Sequence, residues 1–170
     1  MILQQYYRAR IREKKVWIIA GVLIFYVILI AIIGRLSKIE NYSTENQLRI
    51  YYNDLMGTQA LTFLVIPLYF VYSLFSQTFF LRTIVRCRFR GTYHFWRYWY
   101  TVIGIDSGIY TIFLQLMLIF RVVLAGKQAF LLGQMQSIFL SAILQFFTLF
   151  LMGGLFCALV FVLRKKFLDS

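Results

Sequence analysis

Four long stretches of the chain carry almost no charge, and basic clusters punctuate them. The first, 16–34, is nineteen consecutive uncharged residues; at 1.5 Å per helical residue it reaches about 28 Å, close to the ~30 Å thickness of a bilayer's hydrocarbon core. The second, 58–81, contains the chain's single proline, Pro67, which removes one backbone donor and predicts a kink. The third, 99–124, is apolar apart from Asp106 and Arg121, and the fourth, 137–163, has no charge before Arg164, Lys165 and Lys166. Runs of this length predict helices, because a backbone in hydrocarbon must satisfy its hydrogen bonds within its own segment. The expected fold is therefore all-α: one polytopic membrane domain over 1–170, a bundle of four transmembrane helices.

The basic residues orient these spans, since Lys and Arg are retained on the cytoplasmic side. Arg8, Arg10, Arg12, Lys14 and Lys15 precede the first span; Arg82, Arg86, Arg88, Arg90 and Arg97 lie between the second and third; three more follow the fourth. The opposite side has only Arg35, Lys38, Arg49, Arg121 and Lys127, with Arg121 expected to snorkel towards the outer interface. Both termini are thus expected in the cytoplasm of a cell-membrane, multi-pass protein. The loop 35–57 then lies outside, with Glu40, Glu45 and Asp54 and an Asn41-Tyr42-Ser43 triplet that needs no reading beyond chance.

Composition agrees with a lipid-facing protein: 61% of residues are hydrophobic and 14% charged, against about 25% charged in soluble domains. A net charge of +12 would suit nucleic acid, but it is divided among span ends rather than gathered on one face, which argues against such a partner. The first apolar run is too long for the core of a cleaved signal peptide and ends in Ile32-Ile33 rather than a small-residue cleavage pattern. Cys87 and Cys157 fall in a basic loop and an apolar run, so a disulfide between them is not expected.

The connection 77–98 is rich in arginine and aromatic residues and has no acid. Arg82, Arg86 and Arg90 are four apart, so on a helix they form a basic stripe beside Phe79, Ile84, Val85 and Phe89. Gly91 permits a turn, and Tyr93, Phe95, Trp96, Tyr98 and Trp99 form an interfacial aromatic belt. The segment predicts a cytoplasmic elbow helix along the inner membrane surface. It serves either as a positive-inside loop on anionic headgroups or as a docking site in which Arg82, Arg86, Arg88, Arg90 and Trp96 meet a partner.

The run Ile84-Val85-Arg86-Cys87-Arg88-Phe89-Arg90-Gly91, then Phe95-Trp96-Arg97-Tyr98-Trp99 and Ser107-Gly108-Ile109-Tyr110, resembles the region between spans two and three of bacterial type-two ABC exporter permeases, in particular small permeases of lantibiotic and peptide export or immunity systems. The resemblance implies a coupling helix in this loop, a cytoplasmic ATPase subunit as partner, and a second membrane subunit. Such permeases have six spans, so with four the remaining helices come from another chain or the chain is a reduced relative.

Within the spans, Asp106 is expected to face the bundle, because a charged side chain at mid-helix costs about 2.5–3.5 kcal/mol on insertion scales. It serves as an ion, proton or substrate contact, or it is hydrated or paired with Arg97 or another basic residue. Gln115 and Gln145 are expected to join helices by hydrogen bonds, and Gly104 with Gly108, and Gly153 with Gly154, to let helices approach closely. His94, the only histidine, reads as interfacial.

No catalytic, metal or cofactor site is expected. The sole Gly-Lys pair, Gly126-Lys127, lacks the rest of a phosphate-binding loop, one histidine cannot form a His-Glu-x-x-His site, and a two-aspartate protease lacks its second intramembrane Asp. What the resemblance implies is a membrane permease subunit that couples a cytoplasmic ATPase to export of a peptide or other amphipathic substrate. The alternative is a non-transport four-helix membrane module, such as a bacteriocin immunity or assembly subunit.

Overall fold

The computed structural model describes residues 2–11, 14–36, 60–80, 92–124 and 133–168, and every element among them is helical. In chain order these are α1 (Ile2–Ile11), α2 (Lys14–Leu36), a π-helical turn (Leu61–Val65) leading into α3 (Ile66–Phe80), α4 (Thr92–Leu124) and α5 (Met135–Leu168). Two stretches, Tyr93–Leu124 and Met135–Phe161, are long and apolar enough to cross a membrane, and Val16–Ile32 and Thr62–Leu74 are shorter apolar helices.

The π turn stands directly before Pro67. A proline ring cannot donate and crowds the carbonyl one turn earlier, and a wider turn accommodates that crowding. The hydroxyl of Tyr110 on α4 donates to the Val65 carbonyl at 3.1 Å, adding a side-chain bond where the turn changes from π to α.

α4 is the central helix and packs against α2, α3 and α5. Its buried positions include Phe95, Trp99, Val102, Ile103, Asp106, Ser107, Tyr110, Leu114, Leu118, Arg121 and Val122, a helical spacing that keeps one face inward. Ile105, Ile109, Ile112, Leu116 and Phe120 face outward. On α5 the outward face is equally apolar, with Phe139 70% and Leu155 68% exposed.

Three segments meet at the end of the bundle where α4 begins. Tyr6 of α1 is fully buried with Phe95, Trp99 and Val102 of α4 and Cys157 of α5. Trp96 stacks on Trp99 with ring centroids 5.2 Å apart, and the Phe161 ring of α5 meets Trp96 edge-on at 5.1 Å.

The boundaries differ from the sequence reading in two places. α4 begins at Thr92, seven residues before the expected span, because Gly91 is the last turn-forming residue and nothing from Thr92 onward interrupts a helix. Tyr93, Phe95, Trp96 and Tyr98 are consequently turns of α4, and the Gln77 end of the expected elbow belongs to α3. Residues 81–91, including Arg82, Arg86, Arg88 and Arg90, lie outside the described residues, as does most of the outside loop. The second difference is α1, which hydropathy alone does not reveal because its residues are mixed polar and apolar.

Candidate functional site

The most polar part of the interior is built by α1, α3 and α4. Tyr6 and Arg10 are four residues apart on α1, hence on one helical face, and both side chains are buried between α3 and α4. The Arg10 guanidinium donates to Asp106 Oδ2 at 2.5 Å and to the Tyr72 carbonyl at 2.9 Å, and it also contacts the Tyr6 hydroxyl. Tyr6 in turn donates to Asp106 Oδ2 at 2.8 Å. Below the guanidinium lies the Tyr72 ring, whose centroid is 3.7 Å from the Arg10 Cζ, a cation–π contact that strengthens as water is excluded.

Asp106 is 1% exposed, so its charge is balanced by a neighbouring cation rather than by bulk water. The partner is Arg10, not Arg97: Arg97 is exposed on the other side of α4, where with His94, Tyr98 and Thr101 it lines a surface hollow. Arg10 is thus more than one of the positive charges before the first apolar run. The second carboxylate oxygen, Oδ1, and the nearby Tyr7 hydroxyl are both buried without completing a direct hydrogen bond. Burial, with a further contribution from the Asp106 charge, pushes the Tyr7 phenol above its ordinary range, which keeps it a neutral donor.

At the next residue of α4 a second polar contact crosses the bundle. The Tyr69 hydroxyl and Ser107 Oγ are 2.7 Å apart, and Ser107 also donates back to the Ile103 carbonyl at 2.8 Å. Tyr69 needs space that only a glycine leaves: a Cβ placed on Gly153 would lie 2.5 Å from its hydroxyl oxygen and 3.0 Å from Ile103 Cγ2. The Gly104 and Gly108 positions are looser, with the corresponding distances 3.6 Å to the Phe150 ring and 3.8 Å to the Phe146 ring; at Gly154 it is 3.9 Å to Tyr100. These are ordinary van der Waals separations, so among the four glycines close approach rests on Gly153.

Farther along, Gln115 Nε2 of α4 donates to Gln145 Oε1 of α5 at 3.0 Å. Near the last turn of α4, Arg121 is 3% exposed and its guanidinium reaches the Ile30 carbonyl of α2 at 3.4 Å. It therefore turns into the bundle rather than snorkelling outward, because that carbonyl is within reach of its side chain.

Between α2, α3 and α4, Val16, Ile19, Ala20, Tyr72, Ile109, Tyr110 and Phe113 line an open apolar cleft of about 120 Å³. It shares Tyr72 with the Arg10 site. No group of three or more potential metal ligands occurs among the described residues.

Sequence reasoning missed Tyr6, Tyr7, Arg10 and Tyr72 as members of this site. The one available signal was the Tyr6/Arg10 spacing on a helix-forming stretch, and it becomes legible only once α1 is known to fold against α4. Comparison of the chain with protein-family models, with characterised proteins and with solved structures gives no match.

Proposed function

We propose that the chain is a cell-membrane protein that spans the bilayer four times, through α2, the segment 61–80, α4 and α5, with both ends cytoplasmic. It acts as the permease subunit of an ABC-type exporter, working with a cytoplasmic ATPase and another membrane subunit. The observation that carries the membrane reading is an inverted polarity: large apolar side chains such as Phe25, Phe139 and Leu155 point outward while Asp106, Ser107, Gln115 and Arg121 point inward. In water that surface would be an extended exposed apolar patch, which soluble monomers avoid; in lipid it is the expected one.

The transporter reading is supported by the resemblance of the 84–110 region and by where its connection is anchored. The segment 81–91 joins the last turn of α3 to the first turn of α4, the two helices that Arg10 ties together through Tyr72 and Asp106. Force applied to that connection by a partner would reach the polar site directly. Gentle purification of the full chain from its native membrane tests this: an ATPase should accompany it, and Arg86→Glu with Arg90→Glu should uncouple ATP hydrolysis. Recovery of no ATPase, with hydrolysis unchanged by the charge reversal, would remove the exporter reading.

The second reading, a non-transport module for immunity or assembly, is favoured by one observation. Arg10 with Asp106, Tyr69 with Ser107 and Gln115 with Gln145 engage the interior polar groups with each other across helices, the arrangement of a structural bundle. A neighbouring ATPase gene favours the first reading over the second.

A further inference from the structure

Arg10 is held as a cationic ligand is held. Its guanidinium has a carboxylate acceptor in Asp106, a carbonyl acceptor in Tyr72 and an aromatic face in the Tyr72 ring, the combination by which proteins recognise guanidinium and ammonium groups. The occupant is supplied by α1, a ten-residue helix whose described contacts with the bundle include this site and the Tyr6 ring against Phe95 and Trp99. Immediately beside the guanidinium, Tyr72 passes into the apolar cleft of about 120 Å³ formed with Ile19, Tyr110 and Phe113. A cation-binding pocket and an apolar pocket thus share one wall.

The geometry points to a binding site for an amphipathic cation, a guanidinium or ammonium group carrying a short apolar extension, with the charge at Asp106 and the extension in the cleft. Arg10 is its tethered stand-in: while α1 is docked the cation position is filled, and a ligand enters by displacing Arg10. As the substrate site of an exporter of cationic amphipathic peptides, this deepens the permease reading and rests on it; as a binding site, it needs no other subunit.

The probe is octylguanidinium, with neutral octylurea as the control of equal shape, and the full chain is held in nanodiscs of zwitterionic lipid. In the unaltered protein, octylguanidinium should raise backbone hydrogen exchange across residues 2–11 and octylurea should not. Arg10→Gln empties the cation position and should bind octylguanidinium at least about tenfold more tightly than the unaltered chain, the scale of one charge-assisted contact, measured by calorimetry against empty nanodiscs. Adding Asp106→Asn should abolish that gain. Exchange over 2–11 that does not respond, or responds equally to the urea, overturns the inference even where Arg10→Gln fails to fold; so does equal binding with and without Asp106. Recovery of an ATPase without a probe response removes this site alone, whereas a probe response without an ATPase removes the exporter reading alone.

Discussion

Asp106 illustrates what a charge inside an apolar helix requires of its surroundings. Removing a carboxylate and a guanidinium from water costs several kcal/mol each, and their attraction offsets this only with good geometry and further hydrogen bonds. Arg10 supplies both, through Asp106 Oδ2 and the Tyr72 carbonyl, with Tyr6 as a second donor to the carboxylate. Removing one partner leaves the other buried and uncompensated, which costs about 3–5 kcal/mol. We predict that Asp106→Asn and Arg10→Gln each lower stability on this scale, and that the double variant loses clearly less than the sum. A denaturation cycle in detergent measures the coupling, and additive losses would show that the pair does not act as a unit. The sequence identified Asp106 as inward-facing, because solvation physics acts on that residue alone. Its partner is 96 positions away, and no local pattern connects them.

At the scale of helices, close packing depends on the neighbour as much as on the glycine. Gly104 and Gly108 have the small-residue spacing associated with helix contacts, yet each faces the edge of a phenylalanine ring with room for a methyl group. Gly153 faces the Tyr69 hydroxyl and Ile103, where no Cβ fits without movement. Gly104→Ala and Gly108→Ala should accordingly leave thermal stability nearly unchanged, whereas Gly153→Ala should cost about 1–3 kcal/mol, the usual scale of overpacking. Tyr69→Phe in the Gly153→Ala background should return part of that loss, since the clash is with the hydroxyl oxygen. If all three alanine variants melt alike, the distinction among the glycines is wrong. Spacing was legible in the sequence; the identity of the opposing side chain was set by how α3 enters the groove between α4 and α5.

The described helices are apolar, the polar contacts between them lie inside, and at one end Tyr6, Phe95, Trp99 and Phe161 pack together. The proposed topology places this end in the cytoplasm. Single cysteines introduced at residues 45 and 92 should then react with a membrane-impermeant reagent from opposite sides of sealed vesicles. Labelling of both from the same side would sink the four-span arrangement.

Hydropathy by itself determined that the chain is helical and roughly where its apolar helices lie, because chain length in hydrocarbon and backbone hydrogen bonding are local constraints. The predicted stretch 16–34 sits within α2, and 137–163 within α5. The tertiary structure alone decided that Arg10 belongs to the interior, that α1 is a packed helix rather than a basic arm, and that Gly153 is the tight contact. Charge pairing and steric fit are properties of atoms brought together from distant parts of the chain, so they acquire a definite value only when the helices are docked.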